Sequence, residues 1–359
     1  MLGAFDCSHA VSWSATGGSA GILMVMNGDI MGISGILSRS LGEPKESIQD
    51  PQRQWRWVFI ASFATAVNIY VNFLSPAALH DERATHDDVP IPSFVGHLIG
   101  GFLVGVGTKI GNGCTTGHGI CGMGRLSPRS LASVVTFTGS SIITTYMLSP
   151  VRSWSAMTEF LRRDSLPVVS PLASALVMGA LTLIAMARPV QKVEEEDSRK
   201  SWGAALSGMV FAAGLAVSGM TKKSKVHDFL CFSSVVTGKF DPTLVAVLGS
   251  GIVSSWASYQ FISGYSSFPS CAYESPTALP KGSKFGIPTS RVIDSRLIVG
   301  AMTFGIGWGV TGICPGPGLY AACAGIVDAI VGWIPSFLVG SYVGTMLIDQ
   351  IWEKKEKKA

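Results

Sequence analysis

Charge is what this sequence has least of. Only 14% of its 359 residues are Asp, Glu, Lys or Arg, where a soluble domain carries roughly 25%. That shortage excludes a disordered chain, a nucleic-acid binder with a basic face and most soluble enzymes. The start of the chain has no charged stretch followed by a short apolar core, so no signal peptide is read there. The seven cysteines are an odd number, contain no Cys-x-x-Cys pair and include several in apolar, Gly-rich stretches. A disulfide framework, which suits small secreted domains, is therefore not expected. No cofactor fingerprint is present, and no cofactor or resident metal is expected.

Apolar residues are what the sequence has instead. They make up 47% of the chain, with a mean hydropathy of +0.40 and 42 glycines. A span of the bilayer needs about 20 mostly apolar residues. Continuous apolar runs predict nine spans, near 17–38, 55–75, 93–112, 129–149, 168–187, 203–221, 241–262, 296–313 and 325–350. Two further stretches, 228–236 and 315–324, are apolar but too short to cross, and read as re-entrant pieces. The expected fold is an all-α polytopic membrane protein forming one membrane domain over residues 1–359.

The chain repeats itself. Gly105-x-Gly107 followed by Cys114 recurs as Gly305-x-Gly307 followed by Cys314, at a constant offset of 200 residues. A weaker echo pairs Gly32-Ile33-Ser34-Gly35 with Ala216-Val217-Ser218-Gly219. The reading is a first half at 17–149, a linker span at 168–187 and a second half at 203–350. The odd number of spans before the second copy inverts it, and inverted repeats place a substrate site near the midplane. Close helix packing explains the glycines, but not a cysteine at the same offset in both copies. Of the 27 Lys and Arg, 18 fall on the side of the C-terminus, 8 on the other, and Lys109 lies within a span. The positive-inside rule then puts the N-terminus outside and the C-terminus in the cytoplasm, with the plasma membrane the expected location.

The densest constellation runs from Gly111 to Arg125 and holds Asn112, Gly113, Cys114, Thr115, His118 and Cys121. As a metal site it offers soft ligands but no second close pair. As a redox site it lacks the Cys-x-x-Cys setting. As a lined passage it offers backbone N–H groups, the positive end of a broken helix and weak S–H donors. That suits a small anion carrying a polarizable sulphur. His118 reads either as a helix cap or as a ligand contact. Lys109 either snorkels or supplies positive potential. Lys222-Lys223-Ser224-Lys225 reads equally as an anion-gathering mouth or a solvated turn. Cys7 and Cys271 are placed in loops, and Cys323 in the packing.

The run from Gly105 through Cys114 and Cys121 to Ser130 resembles the YeeE/YedE family of sulphur-compound transporters. So does Gly305-x-Gly307-Trp308-Gly309-x-x-Gly312-x-Cys314-Pro315-Gly316-Pro317. Asn27-Gly28 with Gly32 to Gly35, and Gly214 to Thr221, resemble two shorter motifs of that family. The resemblance implies a non-enzymatic thiosulfate transporter built from inverted halves. It also implies that the substrate passes between Cys114 and Cys314 by S–H hydrogen bonds without covalent attachment. Some members carry a third cysteine in the first motif, where this chain has Ser34. Cys121 and Cys231 are its candidate substitutes, and Ser218 occupies the matching place in the second half. The expected partners are the bilayer, the anion and a cytoplasmic sulphurtransferase that receives it, with no nucleic acid. Two alternatives stay open: a membrane thiol oxidoreductase or sulphurtransferase, and a carrier of selenium or another sulphur species.

Overall fold

The computed structural model describes residues 7–50, 53–74, 94–148, 195–231, 240–263, 286–288 and 290–353. The linker span expected at 168–187 and Cys271 lie outside them. Among the described residues the chain is helical and has no strand. The helices are α1 (Cys7–Asn27), α2 (Ile33–Leu41), α3 (Pro44–Gln49) and α4 (Trp55–Ile69, extended by a π turn at Tyr70–Leu74). Then come α5 (Phe94–Ile110), the short π-helical α6 (Thr115–Gly122) and α7 (Pro128–Leu148). The later elements are α8 (Glu195–Ser218), α9 (Lys223–Leu230), α10 (Thr243–Ser263), α11 (Ser295–Thr311) and α12 (Pro315–Cys323). The last, α13 (Ile334–Leu347), has π turns at Asp328–Trp333 before it and Ile348–Glu353 after it.

Four helices among the described residues are long and apolar enough to cross a membrane, and six if each bent pair counts as one span. The bent pairs are α5 with α6, at 48°, and α11 with α12, at 43°. The helices α1 and α10 are 21 residues each, about 31 Å at 1.5 Å per residue, which is also spanning length.

Contacts at the helix ends sort them onto two faces. Arg296 at the start of α11 donates to the Ile110 carbonyl at the end of α5. Trp352 at the end of the chain's last helix reaches Ser295, and Arg129 at the start of α7 pairs with Asp294. Asn27 at the end of α1 donates to the Lys200 carbonyl near the start of α8. These ends share one face with the chain's C-terminal end. The ends of α7 and α11 meet on the opposite face, where Thr145 donates to the Gly309 carbonyl. So α7 finishes on the far face and α8 begins on the C-terminal one.

The helices cross very closely. A Cβ added to Gly107 of α5 would lie 2.2 Å from the Phe304 nitrogen of α11, and one on Gly300 would lie 2.1 Å from the Gly111 nitrogen. In lipid, helix association rests on this packing rather than on water exclusion, so glycine at the crossing is what permits it. Aromatic rings fill the remaining gaps: Phe63 sits between Phe59, Phe211 and Tyr320, and Phe137 meets Phe304 and Trp308 edge-on.

The structure departs from the sequence reading in several places. The first span is not continuous over 17–38. It ends at Asn27, because Gly28 adopts φ 73° and turns the chain before α2 starts at Ile33. The helix begins at Cys7, which is therefore helical rather than in a loop. The acidic run at 194–197 is not a loop throughout: α8 starts at Glu195, where acidic residues suit the positive helix end. A short helix spans Lys223–Leu230, and residues 232–236 of the re-entrant piece expected at 228–236 lie outside the described residues. The weaker echo pairs unlike places, since Ser34-Gly35 lies inside α2 while Ser218-Gly219 closes α8. Gly219, at φ 66°, follows the end of α8 as Gly28, at φ 73°, follows the end of α1.

Candidate functional site

Each bent pair breaks at a cysteine. The helix α5 stops at Ile110, and Cys114 is the N-cap of α6. The helix α11 stops at Thr311, where Gly312 turns left-handed at φ 69°, and Cys314 is the N-cap of α12. Both cysteines are extended, and both carbonyls accept a first-turn bond: His118 N at 2.8 Å and Gly318 N at 2.9 Å. Two short helices thus start at matched cysteines, each presenting unpaired N–H groups and the positive end of its dipole.

The two starts meet at adjacent threonines. Cys114 Sγ lies 3.1 Å from Thr116 Oγ1, and Cys314 faces the same narrow cavity as Thr115. Cys314, Thr115 and Gly316 line a narrow cavity of about 40 Å³, walled otherwise by apolar residues such as Phe211, Leu215 and Trp308. That is more than the space of one water. Cys114 is 1% exposed and stands one hydrogen bond behind the cavity wall, on Thr116.

Across the same turn lies a second, wider cavity of about 600 Å³ on the C-terminal face. Asn112, Gly113, Gly117, His118, Ser34 and Lys109 line it, together with Arg39, Arg56, Arg125, Arg129 and Arg296. Six cationic side chains oppose only Asp29 and Asp294 among its lining residues. Burial pushes the Asp29 carboxyl up from its usual range, against the pull of Arg56 and Lys200. The vestibule is a region of positive potential of the kind that concentrates anions.

The segment from Gly113 to His118 separates the two cavities. The backbone N–H of Ile33, at the start of α2, donates to Thr116 Oγ1 at 3.2 Å and clamps the partition. His118 is held from both sides: Nε2 donates to the Gly111 carbonyl at 3.2 Å, so Nδ1 accepts from the Ser130 hydroxyl at 3.1 Å. Its ring fastens the turn, although its edge also faces the vestibule.

Not every residue singled out by the sequence joins this place. Cys121 is buried away from both cavities, with its thiol toward the Met31 carbonyl and Ser255. Cys231 closes α9 and lines neither cavity. Ser218 bonds the Leu215 carbonyl and the Met220 nitrogen at a helix end. Pro315 is buried as the first residue of α12. Cys323 is 1% exposed in the core. The Lys222–Lys225 segment is no solvated turn: Lys223 is 7% exposed and donates to His97. The convergence of the vestibule arginines was missed as a site, although counting basic loop residues had already put them on one side.

Comparison with known proteins gives matches in both halves of the chain. A family described as "Sulphur transport" matches residues 73–143, and a family of unknown function (DUF6691) matches residues 202–359. A "Probable transporter" from Xylella fastidiosa strain Temecula1 is 32% identical over 146 residues, which is 40% of this chain and 85% of that protein. Its counterpart in strain 9a5c is 32% identical over the same length, covering 86%. A second Temecula1 "Probable transporter" is 33% identical over 125 residues, 34% of this chain and 80% of that protein. With identity of this order across most of a relative's length, the chain belongs to the YeeE/YedE family of sulphur transporters.

Proposed function

We propose that the chain carries thiosulfate, or a closely related sulphur-containing anion, from the far face to the C-terminal face of the membrane. The observation that carries this reading is the meeting of two cysteine-capped helix starts at Thr115 and Thr116. A dianion leaving water needs compensating donors. The first-turn N–H groups of α6 and α12 serve its oxygens, and the Cys314 and Cys114 thiols meet its soft terminal sulphur in turn. Beyond the Ile33–Thr116 clamp the anion reaches the basic vestibule and is released. In this reading Lys109 adds to the vestibule potential, Gly113 and Gly316 leave backbone open to the anion, and Ser34 stands at the vestibule in the motif where the family resemblance implies a third cysteine in some members.

The two halves, 17–149 and 203–350, are read as inverted repeats about the linker at 168–187. In their support, α1, α2, α4, α5, α6 and α7 are matched in order and length class by α8, α9, α10, α11, α12 and α13. The travel directions are opposite for α1 and α8, for α5 and α11, and for α7 and α13, and the ends of α7 and α8 on opposite faces support a crossing between them. The C-terminal face is assigned to the cytoplasm of a plasma-membrane protein, where a sulphurtransferase would meet the released anion at the vestibule.

The test is uptake of radiolabelled thiosulfate by liposomes holding the purified full chain. Saturable uptake is expected, with sulfate a poor competitor. Mass spectrometry of Cys114 and Cys314 after exposure separates transport from sulphur transfer: unmodified thiols are expected, and a persulfide on either would replace this reading with an enzymatic one.

A further inference from the structure

The arginines of the wide vestibule divide into two groups. Three already hold protein oxygens. Arg125 donates to the Pro288 carbonyl at 2.8 Å and Arg296 to the Ile110 carbonyl at 3.0 Å, while Arg129 donates to the Val292 carbonyl beside its ion pair with Asp294. Arg39 and Arg56 hold none among the described residues. Arg53, three residues before Arg56, shows the contrast: it pairs with Asp50 at 2.9 Å and Glu46 at 3.5 Å. The Arg56 guanidinium rests over the Trp55 ring, 5.4 Å from its centroid, and its buried Nη1 has no hydrogen-bond partner among the described residues. Asp29 lines the same cavity and its charge acts on both arginines, yet it makes an ion pair with neither. A guanidinium cannot shed its charge, and a buried donor left unmatched is costly. Two such forks facing one cavity are suited to oxygens from outside the chain.

The two arginines stand on different pieces of the fold. Arg39 is in the last turn of α2, whose first residue, Ile33, clamps Thr116. Arg56 is in the first turn of α4, which packs along α8. Their like charges repel each other. A dianion held by both turns that repulsion into a tie between α2 and α4.

The vestibule also reads a different chemistry from the narrow cavity. Among the described residues no cysteine lines it. Guanidinium N–H groups recognise charge and oxygen, whereas Cys314 and the apolar walls of the narrow cavity favour a soft sulphur. Sulfate has the charge and tetrahedral shape of thiosulfate, with oxygen in place of the terminal sulphur. It therefore matches the vestibule and not the narrow cavity.

We propose that Arg39 and Arg56 form a binding site for a tetrahedral oxygen dianion such as sulfate, and that filling it from the C-terminal face ties α2 to α4 and holds the Ile33–Thr116 clamp shut. Sulfate on that face then brakes transport without entering the path. The brake rests on the transport reading above; the site itself is tested without it.

The site is tested by equilibrium dialysis of labelled sulfate against the purified full chain in detergent at low salt. One saturable site per chain is expected, displaced by thiosulfate and not by chloride at equal ionic strength. Arg39→Gln and Arg56→Gln should each weaken it at least about tenfold. Arg56→Lys, which keeps the charge and loses the fork, should weaken it less. No saturable binding, or equal binding by the unaltered protein and both glutamine variants, would overturn the site. The brake is tested by thiosulfate uptake into phosphatidylcholine liposomes, after those with a tagged C-terminal tail outside have been removed. Sulfate trapped inside at ten times its dissociation constant should lower the maximal rate about tenfold at every outside thiosulfate concentration. The same sulfate outside should not. The ratio of rates without and with trapped sulfate should fall toward one in both glutamine variants. A ratio of one in the unaltered protein would overturn the brake. Adding phosphatidylglycerol should leave the ratio unchanged; a ratio of one only in its presence would give the site to lipid headgroups and overturn the assignment to sulfate. No uptake at all without sulfate would overturn the transport reading, and the dialysis result would still decide the site.

Discussion

Replacing Cys314 with alanine is the sharpest perturbation of the proposed path. Cys314 caps α12 and lines the narrow cavity together with Thr115. Alanine keeps the extended backbone and removes only the thiol. A hydrogen bond to a charged partner is worth roughly 1.5–3 kcal/mol, and every 1.4 kcal/mol is about a factor of ten. Cys314→Ala should therefore lower kcat/KM for thiosulfate uptake by roughly 10- to 150-fold at matched protein. Cys314→Ser keeps a donor and should lose less. The control is Cys323→Ala. That thiol is just as small but lies in the core and lines neither cavity. It should lower Tm by removing buried volume, with uptake per folded molecule unchanged. The measurement is initial uptake in liposomes beside a thermal melt of the same preparations. Equal uptake by the Cys314→Ala and Cys323→Ala proteins would refute a role for the thiol and leave only an anion passage lined by backbone.

Three further outcomes follow from the geometry. Gly107→Ala places a methyl 2.2 Å from the Phe304 nitrogen and should cost roughly 1–3 kcal/mol or more through overpacking, seen as a lower Tm or poor recovery from membranes. Gly139→Ala, with nothing within 4 Å, should be neutral or slightly stabilising. Arg39→Gln and Lys109→Gln should each weaken thiosulfate binding from the vestibule side at low salt. The difference should shrink at physiological ionic strength, where screening acts over about 8 Å, and equal affinities at both salt levels would remove the vestibule from the argument. Single cysteines placed at residue 12 and in the tail after 353 should be labelled from opposite sides of the membrane.

The two helix breaks were legible because their chemistry is local. Gly-x-Gly spacing, the cysteine and the following Pro315 or Thr115 mark where a helix stops and another begins, and the constant 200-residue offset ties them together. The run at 17–38 was not legible in the same way. Only Asn27 and Asp29 interrupt its apolar residues before Gly32, so hydropathy averaged along the run reports one span, and the positive φ of Gly28 reveals two helices. The π-helical start at Thr115 leaves no compositional mark at all. The vestibule was visible only as a loop count, because Arg39, Arg125 and Arg296 are distant in sequence and meet through folding. The burial of Lys223 ran against its Lys-Lys-Ser-Lys surroundings, which look like a solvated turn until His97 is brought to it.

The glycine crossings carry a mechanical consequence. Where Gly107 and Gly300 bring α5 and α11 together, backbone meets backbone, with no side-chain layer at those points to shear or re-register. Sliding one helix past the other would first require pulling the pair apart, and close-packed contacts switch between discrete arrangements rather than deforming smoothly. The long helices therefore form a stiff frame, and the motion that admits an anion is confined to the pieces hung on it: the start of α2, whose hold on the Thr116 hydroxyl is a single hydrogen bond, and the short helix α6 beneath it. Spin labels on the outer ends of α5 and α11 should report one distance in every substrate state, while a label on α2 should report two.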